Sequence, residues 1–92
     1  MKNHNDFAIA FRKVRRARGL TQEGFLDESG RTYISELERG LKRPTLAKID
    51  QLAVPLEVHP ATLIALAYAS NVNELNELLE LVGKEAMQVL LL

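Results

Sequence analysis

The most specific part of this chain is a pair of runs, Gly19-Leu20-Thr21-Gln22-Glu23 and Arg31-Thr32-Tyr33-Ile34-Ser35-Glu36-Leu37-Glu38-Arg39-Gly40. Their side chains supply hydrogen-bond donors, acceptors and fixed charge, the chemistry of recognition. Bond-breaking chemistry has no visible apparatus: no nucleophile is paired with a base, and neither a phosphate-binding loop nor a metal cluster occurs, so the chain is expected not to be an enzyme. Cys is absent and the only two His are His4 and His59, which excludes disulfides and thiolate sites and leaves too few ligands for a metal cage. No metal and no cofactor are expected. His59 stands before Pro60 and reads as a helix start rather than a general base.

The charges are unevenly placed. The net charge is zero, yet residues 1–48 hold eleven of the twelve Lys and Arg against six acids, while residues 49–92 hold only Lys84 against six acids. A basic half with a surplus of five joined to an acidic half with a deficit of five predicts a surface that meets a polyanion and a separate element with another task. With 92 residues the chain has room for one compact domain. Its 47% apolar and 26% charged residues are those of a folded globular protein. No apolar run reaches the ~18 residues of a membrane span and Met1 to Asp6 lack the apolar stretch of a signal peptide, so no membrane partner is expected and the cytoplasm is the expected location.

These polar runs must be held by helices, because apolar residues recur at spacings of three and four nearly everywhere and no strand-like alternation persists. The fold class is all-α. Phe7, Phe11, Val14 and Arg18 make one stripe, with Arg12, Lys13 and Arg16 opposite, and Gly19 supplies a stop. Thr21 is an N-cap for a second, short helix from Gln22 with Phe25 and Leu26 inward, broken at Ser29-Gly30. A third helix opens at Thr32 or the residue before it, turns Ile34 and Leu37 inward, and ends at Gly40. After the basic loop Leu41-Lys42-Arg43-Pro44, Thr45 caps a fourth helix with Leu46, Ile49, Leu52 and Ala53 inward, which Pro55 should end or kink. Pro60 opens a fifth helix carrying Leu63, Ile64, Ala67 and Tyr68. Asn71 and Glu74 have capping-box spacing ahead of a sixth, acidic helix with Leu75, Leu78, Leu79, Val82, Ala86, Val89 and Leu90 as its apolar stripe.

Two short helices with a tight connection, the second polar at its N-terminal end, form the helix-turn-helix arrangement, whose second helix enters the DNA major groove. Leu20-Thr21-Gln22 and Leu37-Glu38-Arg39-Gly40, at this separation within a five-helix pattern, resemble the Xre/Cro/phage-repressor family over residues 7 to about 67. The run Arg31-Thr32-Tyr33-Ile34-Ser35 is similar to recognition helices of restriction-modification controller proteins. The resemblance implies a five-helix lambda-repressor-like DNA-binding domain over residues 1–70, with an additional C-terminal helix over 71–92. The connection from Gln22 to Tyr33 is shorter than usual in that family, so Ser29-Gly30 is expected to turn tightly.

Carried over residue by residue, the resemblance implies base contacts from Arg31, Thr32, Ser35 and Glu36. Arg31 would pair bidentately with guanine O6 and N7, Thr32 and Ser35 would reach base edges or a thymine methyl, and Glu36 would accept from cytosine N4. It implies phosphate contacts from Gln22 at the start of helix two and from Arg39, Lys42 and Arg43 beyond the recognition helix. Tyr33 either lies against sugar-phosphate or packs on the core edge. Arg15 and Glu38 match a pair that in relatives is a buried salt bridge between helix one and the end of the recognition helix.

The function so implied is a sequence-specific transcriptional regulator, such as a repressor, that binds double-stranded DNA as a homodimer on a two-fold-related operator. The C-terminal stripe of Leu75, Leu78, Leu79, Val82 and Val89 exceeds what the side of a small domain needs, and is expected to dimerise. The alternative is an antitoxin or other interaction module whose acidic last helix binds a partner protein.

Overall fold

A computed structural model of the chain describes residues 6–25 and 31–92, and for Gly24 and Arg31 the backbone alone. Among the described residues it is all-helical: α1 (Phe7–Ala17), a 3-10 turn (Gln22–Phe25), α2 (Arg31–Glu38), α3 (Leu46–Leu56), α4 (Pro60–Tyr68) and α5 (Val72–Leu90). The expected inward Leu26 and the turn at Ser29-Gly30 lie outside the described residues.

Three helices end in the same way, and the reason is local. Gly19 (φ +72°) and Gly40 (φ +79°) take the left-handed conformation that glycine adopts without a Cβ penalty. After α1, Gly19 N–H donates to Arg16 O and Leu20 N–H to Arg15 O; after α2, Gly40 N–H donates to Leu37 O and Leu41 N–H to Glu36 O. These are paired Schellman bonds, which satisfy the last carbonyls of each helix. Glu57 (φ +55°) does the same for α3 without being a glycine, through bonds from Glu57 N–H to Val54 O and Val58 N–H to Ala53 O. Leu20 and Val58, the residues just past two of these turns, pack against the core. Pro55 neither ends nor breaks α3: it sits one residue from the helix end, where it forgoes only the bond its N–H would have made to the Gln51 carbonyl, and the left-handed Glu57 makes the stop.

The N-termini are capped by side chains. Thr45 Oγ1 accepts from Lys48 N–H (3.1 Å), and His59 Nδ1 accepts from Ala61 N–H (3.0 Å) with Pro60 at the first helical position. Asn71 Oδ1 accepts from Glu74 N–H (2.9 Å), while the Glu74 carboxylate reaches back to Ser70 N–H (2.7 Å), one residue earlier than in the usual capping box.

Phe11, Ile34, Leu37, Leu52, Leu56 and Leu63 are the large side chains wholly inside. Phe11 joins Phe7 on one side and Phe25 on the other, with ring centroids 6.2 and 5.4 Å apart. A bond from Asp6 N–H to Ala67 O (2.8 Å) fixes the start of α1 on α4. In α1 the inward stripe differs from the expected one: Ala10 and Arg15 are buried, while Arg18 is exposed where the chain leaves the helix. Leu46 and Tyr68 also depart from expectation. Leu46 is 71% exposed because it begins α3, on the rim of an open groove shared with Tyr68, rather than over the core.

α5 is unlike the rest. It has no buried residue; Leu75 and Leu78 are half-covered and everything from Leu79 onward is exposed. Among the described residues no helix is long and apolar enough to cross a membrane.

Candidate nucleic-acid interface

The helix that would face a ligand, α2, is anchored from below by Ile34 and Leu37 and at its end by Glu38. The Glu38 carboxylate accepts from Arg15 Nε and Nη2 (the latter 2.9 Å) in a bidentate pair, and from Gln22 Nε2 (3.2 Å). Arg15 Nη1 also donates to Leu20 O (2.8 Å). One carboxylate thus ties α1, the 3-10 turn and α2 together, and every donor it uses is directed by a fork or an amide plane. Side-chain exposure is 9% for Arg15 and 4% for Glu38, so water competes little for the pair. Burial pushes the Glu38 carboxyl up, but the hydrogen bonds from Arg15 and Gln22 and the charges of Arg15 and Arg12 outweigh it and hold the group below the ordinary carboxylate value. The Glu38 hydrogen bond raises the Arg15 guanidinium in turn, against the opposing effect of burial.

With 100° between successive residues, burying Ile34 and Leu37 leaves Thr32, Ser35, Glu36 and Arg39 on the opposite side. Thr32 and Arg39 are exposed, and Ser35 and Glu36 are half-exposed. Arg39 Nε leans on Ser35 O at a long 3.4 Å, one turn back. Arg31 is the first residue of α2, and its side chain lies outside the description. Past Gly40, Lys42 and Arg43 are exposed in the loop before Thr45.

Two expected contact residues are engaged internally. Gln22 is half-buried with its amide on Glu38, so its side chain is oriented by the anchoring carboxylate. Tyr33 lies at the core edge, where burial raises its hydroxyl pKa, and Lys48 Nζ stands 4.8 Å from its ring centroid. The sequence reading missed Lys48 altogether. No local spacing connects residues 33 and 48; the signal would have been the lone Lys in the first turn of α3.

Of the proposed dimerisation residues, Leu79, Val82 and Val89 are exposed, whereas Leu75 and Leu78 are partly covered.

Comparison with known proteins agrees with this geometry. Residues 11–63 match the model of the helix-turn-helix family. A Sinorhizobium fredii protein named as an uncharacterized HTH-type transcriptional regulator is 41% identical over 56 residues, covering 59% of this chain and 73% of the relative. No solved structure matches the chain.

Proposed function

Since the chain belongs to the helix-turn-helix family of Xre/Cro-like, DNA-binding transcriptional regulators, we propose that it reads a two-fold-related operator as a homodimer with α2 in the major groove. The observation that carries this reading is the two-sidedness of α2, sealed below by Ile34 and Leu37 and polar above at Thr32, Ser35, Glu36 and Arg39. Arg31, Thr32, Ser35 and Glu36 are the base readers, with Arg31 set at the helix start to meet a guanine. Arg39, Lys42 and Arg43 hold one strand's phosphates, Tyr33 adds its hydroxyl from the core edge, and Gln22 offers the amide proton that Glu38 does not use. Residues 1–70 are the DNA-binding domain and 71–92 the dimerisation element, through Leu75, Leu78, Leu79, Val82 and Val89.

Titrating the protein against duplex DNA over a range of salt tests the reading. Each neutralised phosphate should lower log K by ~0.9 per tenfold rise in salt, and Arg43→Ala should flatten the slope by about one such contact. Affinity indifferent to salt would remove the phosphate contacts. Arg31→Ala, in contrast, should leave the slope, helicity and thermal midpoint nearly unchanged and reduce preference for the cognate site by ~1–3 kcal/mol per half-site. Wild-type discrimination by that variant would remove Arg31 as a base reader.

A further inference from the structure

One side of α5, exposed except at the half-covered Leu75, carries more order than a generic apolar stripe. Val72, Leu75, Leu79, Val82, Ala86 and Val89 are spaced three, four, three, four, three, the a/d alternation of a helix pair. Read backwards, the set complements itself in a single register: 72 meets 89, 75 meets 86 and 79 meets 82. That register sets the large Leu75 against the smallest side chain, Ala86. A parallel pairing would instead set Ala86 against Ala86, leaving a void at that level.

Charge and shape favour the same register. Glu74, Glu77 and Glu80 fall in the first half of α5, while the second half carries only Lys84 and Glu85. These acids lie on the outer side of the helix, off the seam, and antiparallel pairing spreads the two acidic halves to opposite ends of the pair, where parallel pairing would gather them at one end. Gly83 flanks the seam with no atom within 4 Å of where a Cβ would stand, so nothing in its own chain calls for a glycine that weakens the helix. Beside the seam, it lets a second backbone approach closely.

The first turn of α5 opens into a groove of about 240 Å³ whose wall includes Ile9, Lys13, Leu66, Val72 and Leu75. Ile9 and Val72 are 56% and 73% exposed there, although both border an apolar hollow. Antiparallel pairing brings residues 86–92 of a second copy over this groove, because 86 and 89 then lie beside 75 and 72.

We infer that two copies exchange arms: their α5 helices pair antiparallel, and the C-terminal half of each fills the groove between α1 and α5 of the other. The inference rests on the dimer proposed above and specifies how it is built. Each copy contributes an arm and a groove, which widens a narrow helix-on-helix contact towards the ~800 Å² per partner of stable interfaces.

The full chain, which has no Cys of its own, allows a direct test. Leu75→Cys and Ala86→Cys chains are prepared separately, mixed and mildly oxidised. Disulfides should join unlike chains in the mixture, and neither variant alone should cross-link. Leu75→Cys joining to itself, or no cross-link in the mixture although the wild type is dimeric, would overturn the antiparallel register. Ile9→Glu changes an exposed position, so folding is not at stake, and should raise the dimer dissociation constant ~10-fold or more. An unchanged constant would overturn the arm-in-groove contact. Sedimentation of the wild type separates the two levels: a monomer at all concentrations ends the dimer reading and this inference with it, whereas a dimer that fails the cross-link or Ile9 tests ends the exchange alone.

Discussion

Glu38→Ala should lower the thermal midpoint by roughly 15–30 °C, the largest single-residue effect expected in the domain. The substitution strands the Arg15 guanidinium, which is 9% exposed, and removes the acceptor of the Gln22 amide. Breaking one side of a buried ion pair costs ~3–5 kcal/mol, and each kcal/mol moves the midpoint of a domain this size by ~4–8 °C. DNA affinity should fall with it, because the same carboxylate fixes α2 on α1. The pair also sets a pH dependence. The Glu38 carboxyl titrates below its ordinary value in the folded chain, so its contribution is complete above the ordinary carboxylate range and is lost as the pH falls through the lowered value. Glu38→Gln should flatten that acid limb in thermal melts across pH. A Glu38→Ala chain melting within a few degrees of wild type would mean the pair contributes little to holding α2.

Truncation after Ser70 should leave a folded monomer with operator affinity reduced by ~10²–10⁴-fold. Folding should survive because, among the described residues, every buried hydrophobic lies between Phe7 and Ala69 and α5 has no buried residue. Affinity should not, because joining two half-site contacts in one particle turns the second into an intramolecular event, and that gain disappears with the joint. Sedimentation and DNA titration of the truncated chain measure both. A truncated chain that remains dimeric would move the interface to α4, where Leu63 is wholly buried and only Tyr68 and its exposed neighbours could serve. A full-length monomer that captures a second protein through α5 would support the interaction-module alternative.

What was legible in the sequence was what depends on neighbours in the chain. Gly19 and Gly40 as stops, Thr45, His59-Pro60 and Asn71 as starts, and the inward Ile34 and Leu37 all follow from cap chemistry or from spacing within a turn or two. Less legible were features set by distant partners. Gln22 reads as a free helix-start amide until folding brings Glu38 to it from sixteen residues away. Tyr33 had two open readings, and Lys48 over its ring favours the core edge. The inward stripe of α1 was misread at Arg18 because spacing alone put it in phase with Phe7, Phe11 and Val14; Arg15 is inside because Glu38 and the Leu20 carbonyl accept from its guanidinium nitrogens. Leu46 was misread for the same reason: it is apolar and in phase, but nothing packs over the first turn of α3 at that point.

The central claim is that this chain reads DNA in two symmetric halves, and selection from a randomised duplex pool at physiological salt tests it most directly. Selected sequences should contain two related half-sites in inverted orientation, with centres one helical turn or ~34–36 Å apart, the separation of two recognition helices docked on one face of the duplex. Failure to enrich any sequence, or enrichment of one short motif without an inverted partner, would contradict it.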